Sequence, residues 1–253
     1  MRKPEARNKK RETGSEQTGL LPDSCSPLPA AVPVEHSWAL TAKEAIAIQK
    51  ALASQVRIEP LPSGLKILGA ADISYSKHTD LLTAVILTFR LPGLDLLESV
   101  HHVCRATFPY VPGLLSFREV PPLLEAYRKI GQKPDVLLCD GQGIAHPRKL
   151  GFAAHLGLHL GIPTVGCAKS RLCGEHDSLT LKKGSSKPLM LNGEQIGLVF
   201  CSRDGVKPIY ISPGHLCDIP SSKRLISRCL RRYRIPEPLR LAHIEANRRR
   251  ASG

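Results

Sequence analysis

DVLLCDGQGIAHPRKLGFAAHLGLHLGIPTVGCAK, residues 135–169, is the stretch from which the architecture can be read. DVLLCD (135–140) is a short apolar run that ends in a turn signal, Gly141-Gln142-Gly143, as a strand buried on both faces does. KLGFAAHLGLHLG (149–161) reads as a helix closed by Gly161, and TVGCA (164–168) as a second buried strand. Strand, helix and strand of this kind make a right-handed parallel crossover, because covering helices leave such strands no polar face.

Upstream, KILGAADISYS (66–76), TAVILTFR (83–90) and LDLLESVHHVCRA (94–106) are β-rich and joined by short turns, which predicts an antiparallel meander. SFREVPPLLEAYRKIG (116–131) has helical spacing from Leu123 on, and Pro121 and Pro122 fit only a first turn. Before the meander, Thr41 and Glu44 form a capping box for a helix running to about Arg57, ahead of Pro60, Pro62 and Gly64. Downstream, LMLNGEQIGLVFCS (189–202) is a hairpin around Asn192-Gly193, KPIYIS (207–212) is a strand, and SSKRLISRCLRRY (221–233) and PLRLAHIEANRRR (238–250) are helices. The expectation is an α/β fold whose central sheet mixes an antiparallel meander with parallel strands and is flanked by helices. That order resembles ribonuclease-H-like folds.

With 253 residues, 42% of them hydrophobic, the chain is long enough for one large domain with a real core. No run approaches the roughly 20 apolar residues of a membrane helix, and no apolar stretch of signal-peptide length follows the charged N-terminus. Those features predict a cytoplasmic protein without a membrane partner, a monomer by default. The 8 cysteines contain no C-x-x-C pair, so they read as reduced thiols acting as small hydrophobes rather than a zinc site. Residues 1–37, rich in Pro, Ser, Glu and Lys, read as a disordered leader, and 38–253 as a single catalytic domain.

The net charge of +14 lies almost wholly outside the leader and concentrates in residues 221–253, where ten Lys and Arg face only Glu237 and Glu245. Such a surface suits a polyanion, although a solvated helix face gives the same pattern. Ligand sites of open α/β sheets lie at the carboxyl ends of strands. Asp140 ends one strand, and Asp72 occupies an otherwise apolar position in another. Asp72 is either an exposed residue of a solvated face or a buried carboxylate that needs a partner, and Asp140 either an Asx turn or the same. Two buried neighbours would favour Mg²⁺ or Mn²⁺. Glu119, His146, Arg148, Lys169 and His215 lie near strand ends or loop mouths, each with an ordinary structural explanation of its own.

FPYVPGLLSFREVP (108–121), DVLLCDGQGIAHPRKLGFAAHLGL (135–158), PTVGCAKSRLCG (163–174), PIYISPGH (208–215) and YRIPEPLRLA (233–242) together resemble the endonuclease V, or deoxyinosine 3′ endonuclease, family over about residues 38–250. The resemblance implies a ribonuclease-H-like fold and Mg²⁺-dependent hydrolysis of the second phosphodiester 3′ to deoxyinosine, giving 3′-hydroxyl and 5′-phosphate ends, with Mn²⁺ able to substitute. By motif, Asp72 and Asp140 correspond to metal ligands, and Glu119, Lys169 and His215 to the remaining catalytic groups. Tyr110, with Pro109, Val111, Pro112 and Gly113, matches a wedge inserted into the duplex, and His146 joins the DNA-binding set. Gln142, Ala71 and Ser170 depart from the family's usual residues, and SRLCG is more similar to the bacterial branch, which implies DNA as substrate. The alternatives are cleavage of inosine-containing single-stranded RNA and nucleic-acid binding without catalysis.

Overall fold

The computed structural model describes residues 36–76 and 79–252, with residues 1 and 34. The leader expected over residues 1–37 lies, from 2 to 33, outside the described residues. In chain order the elements are α1 (Ala42–Ala53), β1 (Ile67–Tyr75), β2 (Leu81–Arg90), β3 (Asp95–Arg105), α2 (Leu115–Arg128), β4 (Val136–Cys139), α3 (Phe152–Leu160), β5 (Thr164–Ala168), β6 (Ser186–Leu191), β7 (Glu194–Phe200), β8 (Ile209–Pro213), α4 (Ile219–Cys229) and α5 (Glu237–Ala251). One sheet takes the strands in the order β3-β2-β1-β4-β5-β8-β7-β6. β1 to β3 form the expected antiparallel meander, and β1, β4 and β5 are parallel. β8 then pairs antiparallel with β5, and β7 and β6 continue antiparallel to the far edge.

Alternation along the central strands sends successive side chains into two cores. Leu68 and Ala70 of β1 and Leu138 of β4 pack with Leu239, Ala242 and Ala246 of α5 and with Leu225, Ile226 and Cys229 of α4. Ala71, Leu137 and Cys139 face the other way, against Val120, Leu123 and Ala126 of α2 and Phe152, Ala153 and Leu156 of α3. A buried Leu or Phe contributes about 1.5–3 kcal/mol to this packing, so both faces of the sheet are strongly specified.

Local signals act as read. Thr41 and Glu44 make the reciprocal capping box at α1, with the Thr41 amide donating to the Glu44 carboxylate at 2.7 Å. Asn192 and Gly193 have positive φ, 50° and 80°, as a type I′ hairpin turn requires. One expectation fails: α2 begins at Leu115, so Pro121 and Pro122 lie inside the helix rather than in its first turn. Each removes an i to i−4 hydrogen bond at a cost of about 3 kcal/mol or more. Burial of Phe117, Val120, Leu123 and Ala126 offsets this loss. Cys139, Cys167, Cys201, Cys217 and Cys229 are buried free thiols. Among the described residues no helix is long and apolar enough to cross a membrane.

Candidate active site

The parallel pairing of β1 with β4 puts Ala71 opposite Cys139, and the Asp140 amide donates to the Ala71 carbonyl at 3.3 Å. Asp72 and Asp140 are therefore side by side where the two strands end their pairing. Asp72 continues the stripe of Leu68 and Ala70 toward α5 and is buried. There α5 presents His243, whose Nδ1 lies 2.9 Å from Asp72 Oδ2. Asn247, one turn on, donates to His243 Nε2 at 3.1 Å and accepts from Ser74 Oγ at 2.9 Å. That network leaves the hydrogen on Nδ1, so His243 donates to Asp72. Ligand atoms of Asp72, Asp140 and His243 all lie within 4.8 Å of one another.

Lys169, just beyond the end of β5, donates to Asp140 Oδ2. Glu119 comes from α2 on the opposite face of the sheet and lines the same cleft as Asp140. Loss of water contact, together with the charges of Asp72 and Asp140, pushes the Glu119 carboxyl up to about 8. Burial, then the Asp140 charge, pushes Asp72 up to about 6 against the opposing hydrogen bond from His243. Two carboxyls raised by burial and by neighbouring carboxylate charge mark a site with more negative charge than its neighbours neutralise.

The cleft has a volume of ≈ 400 Å³. Its floor is the Gly141-Gln142-Gly143 loop, whose third residue must be glycine: a Cβ on Gly143 would sit 1.8 Å from the Pro213 carbonyl oxygen. Gln142 is buried, and its Nε2 donates to the Ser170 carbonyl at 2.9 Å while its Oε1 has no partner among the described residues. The outer wall is residues 109–113. Phe108 and Leu114 anchor this loop in the core at 2% and 1% exposure, whereas Tyr110 between them is 66% exposed. Gly113 has φ +77°, and its carbonyl accepts from Arg148 Nη2 at 2.8 Å, His146 Nε2 at 3.0 Å and Gln49 Nε2 at 3.2 Å. His146 Nδ1 accepts from the Arg148 amide at 3.1 Å, so both ring nitrogens of this buried histidine are committed to holding the loop.

The sequence profile described as Endonuclease V matches residues 50–244, and an endonuclease V of Nostoc punctiforme is 46% identical over 209 residues, 82% of this chain and 95% of that protein. The chain belongs to the endonuclease V family. Among solved structures, the endonuclease V of Streptomyces avermitilis superposes with a TM-score of 0.81 at 33% identity, covering 88% of this chain and 100% of that one. The endonuclease V of Ciona intestinalis, solved in complex with a 24mer DNA containing an inosine followed by a ribo-adenosine, shares the fold at TM-score 0.73 and 24% identity, covering 83% of this chain and 98% of that one. The family is one of endonucleases, so the chain is a hydrolase acting on phosphodiesters.

The structure brings Glu119, Asp140, Lys169 and the Tyr110 loop around one cleft and sets Asp72 beside Asp140 on the next strand, but it does not bring His215 there. Because β8 is antiparallel to β5, its carboxyl end lies beside Thr164, at the start of β5, while Lys169 lies beyond the other end. The length of β5 separates them by roughly 13 Å. His215 is buried, its amide donates to Thr164 Oγ1 at 2.9 Å and its Nδ1 accepts from the Arg57 amide at 3.2 Å. The histidine beside the aspartates is His243, which sequence reasoning missed. The one signal for it was a lone histidine next to the Leu239, Ala242, Ala246 stripe of an otherwise arginine-rich helix.

Proposed function

We propose that this family member is a DNA repair endonuclease that hydrolyses the second phosphodiester 3′ to deoxyinosine, with the cleft receiving the flipped hypoxanthine. The observation that carries this reading is the juxtaposition of Asp72 and Asp140 on adjacent strands with a 400 Å³ cleft walled by an exposed Tyr-Val-Pro-Gly loop. The inosine-containing DNA held by the Ciona relative supports it.

The donor set suits Mg²⁺, since oxygen ligands dominate and the elevation of Asp72 and Glu119, by burial and then by neighbouring carboxylates, reflects negative charge that a divalent cation neutralises. Asp72 and Asp140 would hold the ion, and Glu119 would supply a further carboxyl group in the same cleft as Asp140. A bound Mg²⁺ supplies Lewis acidity and lowers the pKa of water. The protein's own groups do the rest. Lys169 neutralises charge developing on the phosphate, and its pairing with Asp140 keeps it at that position between turnovers. His243 fixes the orientation of Asp72 through Nδ1. Tyr110, stiffened by Pro109 and Pro112, fills the gap left in the stack, and a mispaired hypoxanthine lowers the cost of leaving it. His146, Arg148 and Gln49 hold that loop through the Gly113 carbonyl. The basic surface of α4 and α5 contacts the backbone without reading sequence.

An end-labelled duplex with one deoxyinosine, incubated with Mg²⁺ or with EDTA and mapped to single nucleotides, tests the proposal. A Mg²⁺-dependent nick one nucleotide beyond the lesion on its 3′ side is expected. Cleavage confined to a matched inosine-containing RNA would transfer the reading to RNA, and binding without any nick would make the protein non-catalytic.

A further inference from the structure

On the outer side of α3 a second set of side chains converges. His155 and His159 stand one turn apart on the helix, and His36 reaches them from the segment before α1. The His36 and His155 Nε2 atoms are 3.0 Å apart, those of His159 and His36 3.2 Å, and those of His159 and His155 3.3 Å. A tetrahedral ion with Zn–N bonds of 2.0–2.1 Å sets its ligand nitrogens about 3.3–3.4 Å apart, so the triangle already has nearly the right size.

Each ring also has a hydrogen-bond partner outside the triangle. His36 Nδ1 donates to the Ser37 carbonyl at 2.7 Å, His155 Nδ1 lies 3.0 Å from Ser116 Oγ, and His159 donates to the Val34 backbone. A neutral imidazole carries one N–H, so a ring that donates outward turns a lone pair inward. In the tautomer in which all three rings donate outward, the three Nε2 atoms aim lone pairs at one point, which a cation there stabilises. Outward N–H groups on backbone and hydroxyl oxygens are also what orients imidazole ligands in metal sites. Burial first, and then the neighbouring rings, lower the pKa of His155 and His159, keeping both in the neutral form that ligates. Trp38 covers the group, with its ring 4.3 Å from that of His36 and 4.9 Å from that of His159, and Phe117 lies 4.9 Å from His155. That apolar wall limits the access of water.

We propose that His36, His155 and His159 form a three-histidine site for a zinc-type transition-metal ion, separate from the acidic cleft, with water or an exogenous ligand in the fourth position. Three imidazoles without a carboxylate select zinc, copper or nickel over Mg²⁺, so the two sites do not compete for one ion. The bound ion would tie the segment before α1 to α3, and through Ser116 to the first turn of α2, the helix that carries Glu119.

The test uses the full chain without a histidine tag, purified without chelator and held in excess Mg²⁺. About one zinc per chain is expected to survive gel filtration, and Co²⁺ substitution to give the intense visible spectrum of a tetrahedral site. Asp140→Asn, which changes the cleft, should keep both signals, and His36→Ala and His159→Gln should lose both while remaining folded by circular dichroism. Added Zn²⁺ should raise Tm in the wild type and not in the two histidine variants. Zinc well below one per chain without a tetrahedral Co²⁺ spectrum would overturn the proposal. A spectrum untouched by His36→Ala, or one abolished by Asp140→Asn, would do so as well.

Discussion

Asp72 and Asp140 stand on paired strands, fixed by a register that a slip of one residue would invert, whereas Tyr110 stands on a loop pinned by Phe108, Leu114 and one carbonyl. The carboxylates are buried or nearly so and cost the fold free energy. The tyrosine is exposed and costs little. The difference fits the two proposed tasks: a hydrolytic centre needs oxygen ligands at a fixed spacing, which paired strands hold, and a wedge needs an uncovered ring of low conformational entropy. In the proposed function the acid wall cuts and the loop recognises, so each should be breakable without the other.

The largest effect is expected at Asp140. Asp140→Ala should lower single-turnover cleavage of a deoxyinosine duplex by at least about 10³-fold, the several kcal/mol that metal charge stabilisation supplies. Gel-shift affinity for that duplex should change little, and a parallel loss of binding would merge the two walls. His243→Ala should cost about 10–100-fold in rate by freeing Asp72, with a higher Mg²⁺ requirement as its signature. An unchanged Mg²⁺ titration would remove His243 from the site. On the other wall, Tyr110→Ala should reduce the preference for deoxyinosine over undamaged duplex by about 10-fold, from the 1–3 kcal/mol of a base–aromatic stack. Equal weakening on both duplexes would leave it no wedge role.

The smallest effect concerns stability. Glu119 holds its proton more tightly in the fold, at about 8, than in the unfolded chain, at 4.5. The stability linked to it is complete below the unfolded value and is lost as pH rises through the folded one. Without divalent ions, Glu119→Gln should therefore match the wild type at pH about 4.5 and melt several degrees higher at pH about 8.5. Calorimetry at the two pH values checks this, and Mg²⁺ should shrink the gain.

Much of this was legible because it is local. A capping box, an Asn-Gly hairpin and continuous apolar runs at β4 and β5 each carry their own physics, and Asp72 betrayed itself by breaking an apolar alternation. What failed was long-range. Nothing in IYISPGH says that its strand runs antiparallel to β5, so His215 went to the wrong end of the sheet and His243, nearly thirty residues on, was passed over. The helical prolines of α2 were misplaced for the same reason, since only packing against the sheet shows that burial offsets their cost. Gln49 read as one more position in α1, and its bonds to Gly113 and Leu150 exist only in the folded chain.

The division between cutting and recognition is tested most directly by the fluorescence of a 2-aminopurine placed beside deoxyinosine, followed on mixing with Asp140→Ala in Mg²⁺. A rise equal to that seen with the wild type before cleavage, with no strand cut afterwards, is the predicted result, because base flipping needs only the loop and the cleft. No rise with Asp140→Ala would mean that the acid wall takes part in recognition, and the division would fail.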